Sequence, residues 1–209
     1  MKKNKSKKKW IIVILIILIL LCLGVFALYY FFDNKNNTDT KKEVKVIKEI
    51  SKYGYELKEN ATKLYKAEFE NLESVLNEDE IDYEMYAKAV AKLFIIDFYT
   101  LNNKESKNDI GGTAFIKDSM KDNFIEEARS TFYKYLEVKE NRNQVLPEVS
   151  LIEDVQVENT SFTYTDKTKD ENAYKVTISW DYKENLGYEK EAKMILVKEN
   201  DKLYIIEMD

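Results

Sequence analysis

Residues 174–182 read Tyr-Lys-Val-Thr-Ile-Ser-Trp-Asp-Tyr, so that apolar and polar side chains alternate through the whole stretch. This period of two predicts a β-strand with one buried face. Two further strands are predicted at 189–198 and 203–208, after turn residues at 185–187 and 199–201. Because short turns of this kind join antiparallel neighbours, we expect the strands to follow one another as a meander.

A fourth strand precedes these three and contains a change of phase. Val155 and Val157 share one face of a strand, whereas Phe162 and Tyr164 are out of phase with them across Asn159. One extra residue in a strand, a β-bulge, produces such a shift. The pattern therefore predicts either one bent strand or two short ones.

Three helices are predicted before the strands. Asn60 or Thr62 can cap the first helix and Asp82 can cap the second, since these side chains accept hydrogen bonds from first-turn N–H groups. The second is apolar nearly all round over 93–99, which indicates burial on several sides. The third spans about 118–138. Its apolar stripe consists of Met120, Phe124, Ile125, Ala128, Phe132, Tyr135 and Leu136.

The start of the folded domain is less sharply defined. Residues 33–50 are rich in asparagine, lysine and threonine, a composition that predicts a solvated stalk. The apolar residues at the end of this segment fit either a helix or a strand, so the first residue of the domain is defined only to within several residues. Tyr53, Tyr55 and Leu57 alternate and predict a short strand. We place the domain at 51–209.

A long apolar segment lies near the N-terminus. Over 10–32 every residue except Gly24 is apolar or aromatic. A helix of this length rises about 34 Å, enough to cross a hydrocarbon core of about 30 Å. We predict a transmembrane helix. A cleaved signal peptide is the alternative because 25–27 resembles a cleavage site, but the apolar run continues beyond it to residue 32.

The charges beside this segment predict its orientation. The tail at 1–9 is basic, and a lysine excess on one side of a span marks the cytoplasmic side. Trp10 at the inner end and Tyr29 and Tyr30 at the outer end suit the two membrane interfaces. The 51–209 domain is therefore predicted to be extracytoplasmic. The orienting lysines are Lys2, Lys3, Lys5, Lys7, Lys8 and Lys9.

Helices followed by a four-stranded antiparallel meander predict an α+β domain with the helices packed on one sheet face. This order, with Trp180 on the second strand, resembles the nuclear transport factor two-like fold, a cystatin-like α+β cone, over roughly 50–209. The lysine-rich tail, single span and exterior domain together resemble single-pass assembly proteins of bacterial type IV secretion and conjugation machines. The Asn-Pro-x-Gly loop that many of those proteins carry is absent here.

Composition excludes several chemistries. The chain has no histidine and one cysteine, which rules out Ser-His-Asp and Cys-His relays, ordinary zinc sites and intramolecular disulfides. After residue 32 there are 27 basic and 38 acidic residues, and only Arg129 and Arg142 are arginines. This negative charge disfavours nucleic-acid binding. The acidic run 77–82 lacks the glycine and ligand spacing of a calcium loop, so we predict no metal and no cofactor.

Asp97 falls on the apolar face of the second predicted helix, where a carboxylate is costly unless it is hydrogen-bonded. It has two interpretations. Asp97 is either a structural acceptor for backbone or tyrosine donors, or a general base, the role that a pocket carboxylate plays in nuclear transport factor two-like enzymes. The structural interpretation is favoured, since the sequence places no second acid beside it.

The loop over 102–115 is long for an unstructured connection and contains Asp109, Gly111 and Gly112. Neither a P-loop nor a GxGxxG pattern is present, so a tight turn over the mouth of the domain is the favoured role.

We expect a non-catalytic binding or assembly module of the bacterial envelope. Its expected partners are the membrane and another envelope protein or a second copy, with a small ligand also possible. The alternative is a cofactor-free pocket enzyme that uses Asp97.

The predicted topology can be tested with protease added to spheroplasts that express the full-length chain. Because 1–9 is predicted inside and everything after residue 32 outside, the domain should be digested and the basic tail spared. Full-length protein that survives this treatment but is digested in a cell extract would show the opposite orientation. A mature chain that begins at Leu28 would establish signal cleavage instead.

Overall fold

Two antiparallel β-sheets and three α-helices build residues 44–209, the part of the chain that the computed structural model describes. The first sheet pairs two short strands and the second contains four. In chain order the elements are β1 (Val46–Ile50), β2 (Tyr55–Lys58), α1 (Lys63–Leu76), α2 (Tyr83–Tyr99), α3 (Asp118–Ser130), β3 (Val149–Thr163), β4 (Lys169–Tyr182), β5 (Glu191–Glu199) and β6 (Lys202–Met208).

The four-stranded sheet confirms the predicted meander, with strand order β3-β4-β5-β6 and antiparallel pairing throughout. Asn200 and Asp201 have φ values of 52° and 66° and form the tight turn between β5 and β6. Positive φ at both central residues is typical of the hairpin turn whose twist matches that of its strands. The sequence and the structure thus agree on the core architecture of an α+β domain.

The phase change in the first strand of this sheet results from irregular pairing. β3 is one continuous strand, and its register against β4 shifts between Thr160 and Phe162, just after the predicted break. Two more shifts occur near its start, at 149–151 and 152–154. The alternative of one bent strand is therefore correct, and this strand forms an edge of the sheet.

The two predicted caps are in place. Thr62 accepts a hydrogen bond from the N–H of Tyr65 at 3.1 Å and begins α1. Asp82 accepts from the N–H groups of Glu84 and Met85 at 2.9 and 3.1 Å and begins α2. Eleven of the 17 residues of α2 are buried, because this helix lies between α1 and the four-stranded sheet. The helix is apolar nearly all round because it packs against both of these neighbours.

The third helix is shorter than predicted. It ends at Ser130 rather than near residue 138, and Tyr135 of the predicted stripe is 79% exposed. The hydroxyls of Ser130 and Thr131 both donate to the carbonyl of Glu127, at 3.0 and 2.7 Å, which competes with helical pairing. Tyr133 instead turns into the core. Periodicity alone overlooked this local competition.

The ordered domain begins before residue 51. β1 lies inside the range predicted to be the stalk. It belongs to the folded domain, because it pairs with β2 and because Ile50 packs against the core. The predicted tail 1–9, the transmembrane helix 10–32 with its interfacial aromatics and most of the stalk lie outside the described residues. Among residues 44–209, no helix is both long and apolar enough to cross a membrane.

Trp180 allows a direct test of the sheet. It is fully buried, and its indole ring lies 4.9 Å from the ring of Tyr99 on α2. Trp180→Ala should therefore lower the free energy of unfolding by about 3 to 5 kcal/mol, measured by urea denaturation. Leu151→Ala is the control, since Leu151 is 52% exposed and should change stability by less than about 0.5 kcal/mol. Equal effects of the two substitutions would contradict the packing.

Candidate functional site

Asp97 lies near the C-terminal end of α2 and faces the loop at 102–115. One carboxylate oxygen forms an ion pair with the ammonium of Lys104, and the other accepts a hydrogen bond from the N–H of Gly112 at 2.7 Å. The side chain of Asp97 is 31% exposed, whereas that of Lys104 is 6% exposed. The structure thus brings together two predicted features, the carboxylate and the paired glycines, that the sequence did not connect.

Both glycines are required by this arrangement. A Cβ at Gly111 would lie 2.2 Å from the carbonyl oxygen of Asp97, a distance that no side chain tolerates. Gly112 has a φ of +75°, and a Cβ there would lie 2.7 Å from the ring of Phe94. The N–H of Gly111 donates to the hydroxyl of Tyr133 at 3.1 Å. The pair therefore forms a turn that packs closely against α2.

Asp109, the third residue singled out in the loop, stabilises the loop itself. Its carboxylate accepts from the N–H of Glu105 at 3.0 Å, and its own N–H donates to the carbonyl of Ser106 at 3.0 Å. It also lines a polar pocket of about 280 Å³ beside Asp97. Among the described residues, no group of three or more potential ligands could hold a metal ion.

The electrostatics of Asp97 oppose a role in proton abstraction. Burial raises the pKa of this carboxyl, but the charge of Lys104 and the N–H of Gly112 outweigh burial and hold the pKa below its ordinary value. A general base works best with a pKa near the operating pH. Asp97 is a weak base whose two oxygens are already engaged, and this geometry favours the structural interpretation.

A second depression was not anticipated from the sequence. It has a volume of about 580 Å³ and lies between α2, α3, the β4–β5 connection and β6. We call it the aromatic groove, because six aromatic side chains line it. These are Phe94, Phe98, Tyr99, Phe124, Phe132 and Tyr188.

The rings of the aromatic groove pack closely against one another. The ring centroid of Phe98 lies 5.4 Å from that of Phe124 and 5.6 Å from that of Phe132. Tyr188, 40% exposed, extends this wall across to the β4–β5 connection, 5.6 Å from Phe132. The sequence assigned Phe124 and Phe132 to a core stripe. No sequence pattern links the segments that line the groove, because the groove forms only where they meet in the fold.

In the described part of the chain, the charged residues that line the aromatic groove all have one sign. Glu127, Glu189 and Glu207 line it, and no lysine or arginine does so in the described part of the chain. None of the three carboxylates forms an ion pair within residues 44–209. Burial, followed by the negative charge of Glu189, raises the pKa of Tyr99 to about 12. The groove is therefore apolar inside and negative at its margin.

The structural role of Asp97 predicts a pH-dependent stability. Because its folded-state pKa is lowered, the stabilisation is present above the unfolded-state pKa of about 3.9 and is lost as pH falls through the folded-state value. Asp97→Asn leaves the ammonium of Lys104 buried and unpaired, so it should cost about 3 kcal/mol at pH 7. Urea denaturation should show this difference shrinking at pH 3.

Two further variants control this experiment. Lys104→Met added to Asp97→Asn removes the unpaired charge and should recover part of the lost stability. Asp122→Asn changes an exposed carboxylate on α3 and should alter stability by less than about 0.5 kcal/mol. An Asp97→Asn protein that is as stable as the wild type at both pH values would exclude the structural role.

Comparison of the chain with protein-family models, with curated proteins and with solved structures gives no match. The resemblances to the nuclear transport factor two-like fold and to secretion proteins consequently remain predictions. The functional assignment of this domain then depends on the chemistry of its own surface depressions: a polar pocket lined by the Asp97–Lys104 ion pair, and an open aromatic groove with a negative margin.

Proposed function

We propose that this protein is a membrane-anchored, extracytoplasmic binding module of a bacterial envelope assembly, without catalytic activity. The observation that carries the proposal is the aromatic groove. Its volume of about 580 Å³ falls within the range of about 300 to 1,000 Å³ that is typical of ligand sites. Its concave aromatic lining matches what such sites use to bury an apolar surface.

Exposure at the margin supports binding. Met120 and Tyr188 line the aromatic groove and are 38% and 40% exposed, although both are large and apolar. Adjoining exposed apolar side chains in a depression mark interaction sites more often than isolated ones do. Phe94 and Phe98 line the interior of the groove, are nearly fully buried, and form its floor. A rigid floor lowers the entropic cost of binding.

The other depression gives less support to a function. The polar pocket beside Asp97 does have a second polar group at the carboxylate, as an enzyme site would require. That group is the cation of Lys104, which lowers the pKa of Asp97 instead of raising it toward neutrality. The groove therefore supports a binding module better than the pocket supports an enzyme.

The remaining parts of the proposal come from the sequence. The apolar segment 10–32 behind a lysine-rich tail supports a single membrane anchor with the domain outside. Three helices followed by a four-stranded meander support the nuclear transport factor two-like resemblance at the level of element order. Together they support the likeness to single-pass assembly proteins.

Photo-crosslinking in intact cells tests the proposal. Benzoylphenylalanine replaces Tyr188, which lines the groove, or Tyr135, which is 79% exposed outside it. Both changes exchange one aromatic side chain for another in the full-length chain. Illumination should give a defined adduct from position 188 in the membrane fraction, detected by gel shift or intact mass.

Position 135 is the matched control, because it is more exposed and reports random collisions. Equal adduct yields from the two positions would contradict a role for the aromatic groove. Absence of any adduct at 188, in protein that still fractionates with membranes, would contradict the binding function itself.

A further inference from the structure

The structure points to a small cationic amphiphile as the ligand of the aromatic groove, with its apolar body among the rings and its ammonium group at the margin. This inference rests on the proposed binding function and gives it a ligand class. It follows from three observations: the sign of the marginal charges, the chemistry of the lining and the size of the depression.

The margin carries negative charge that is free to act on a ligand. Glu127, Glu189 and Glu207 come from three separate segments of the chain and meet around one depression. Each is exposed, and none is neutralised by a lysine or arginine within the described residues. An anion would be repelled here, whereas a cation gains attraction from all three.

Elsewhere in the domain, by contrast, several carboxylates form ion pairs with lysines. Glu68 pairs with Lys92 at 3.1 Å, and Glu148 pairs with Lys183 at 2.6 Å. Lysines neutralise these two carboxylates. No lysine among the described residues lines the aromatic groove, which leaves a local negative potential beside apolar surface.

The lining favours a cation as well. The face of an aromatic ring attracts positive charge, most strongly where water is excluded. Tyr99, Tyr188 and Glu189 all line the groove, and the charge of Glu189 acts on Tyr99. Rings and carboxylates together bind ammonium groups better than either does alone, while the Phe94 and Phe98 floor accepts the apolar part.

The size of the groove suits a small molecule. Its volume of about 580 Å³ lies within the range of about 300 to 1,000 Å³ that is typical of small-molecule sites. A compact amphiphile can fill the same space and bury most of its surface.

A matched set of water-soluble probes tests the inference on the full-length chain in nanodiscs of neutral lipid, with empty nanodiscs as background. The probes are 4-phenylbutyl-trimethylammonium, the neutral alcohol 4-phenyl-1-butanol as its uncharged analogue, and 4-phenylbutylsulfonate. Calorimetry should show the cation binding about tenfold more tightly than the neutral analogue. The sulfonate should bind more weakly than both.

Two triple variants locate the effect. Glu127→Gln, Glu189→Gln and Glu207→Gln together should bring the ratio of cationic to neutral affinity close to one. The control combines Glu126→Gln, Glu153→Gln and Glu184→Gln, which removes the same charge from exposed carboxylates that do not line the groove. The control should keep most of the preference. All six positions are exposed, so the variants should fold, which circular dichroism verifies.

The outcomes separate this inference from the proposed function. Equal binding of the cationic and neutral probes would overturn the charge selectivity and leave the binding module intact. A preference lost equally in both triple variants would overturn it too, because net charge alone would then explain the selectivity. If none of the probes binds the wild-type chain, the inference is wrong and the groove loses its support as a small-molecule site.

Discussion

The carboxylate of Asp97 determines how the middle of the chain is arranged. By engaging Lys104 and Gly112 together, it fixes both ends of a loop that would otherwise have many conformations. The loop then delivers Ile116 to a parallel bridge with Ile205 on β6. From that point the chain enters α3, which forms one wall of the aromatic groove. The groove thus depends on an ion pair that lies outside it.

The sequence predicted the parts of the fold that local chemistry controls. The alternation around Trp180 and the caps at Thr62 and Asp82 depend on neighbours within a few residues, so their patterns were readable. The end of α3 was not, because it depends both on the local hydroxyl bonds to the carbonyl of Glu127 and on Tyr133, whose hydroxyl donates to the carbonyl of Phe98 at 2.7 Å. A contact across 35 residues leaves no trace in the periodicity of Phe124 to Leu136.

The same distinction applies to the two depressions. The position of Asp97 on an apolar helix face predicted a carboxylate that needs partners, but not that Lys104 and Gly112 would supply them. The aromatic groove draws its lining from α2, α3, the β4–β5 connection and β6, and each contributes only a few side chains. Every contribution alone resembles ordinary core. The site exists only where the segments meet, which single-sequence patterns do not describe.

The irregular edge strand has a consequence for copies of this protein at high local concentration. β3 is 15 residues long and, among residues 44–209, pairs with a strand on one side only. In a regular strand, such an open edge can pair with the matching edge of a neighbour and start a fibril. The three register shifts of β3 twist that edge, and Glu153, Asp154 and Glu158 would oppose like charges in a second copy. The irregular pairing and the negative charge of this strand therefore disfavour pairing of its edge with a second copy.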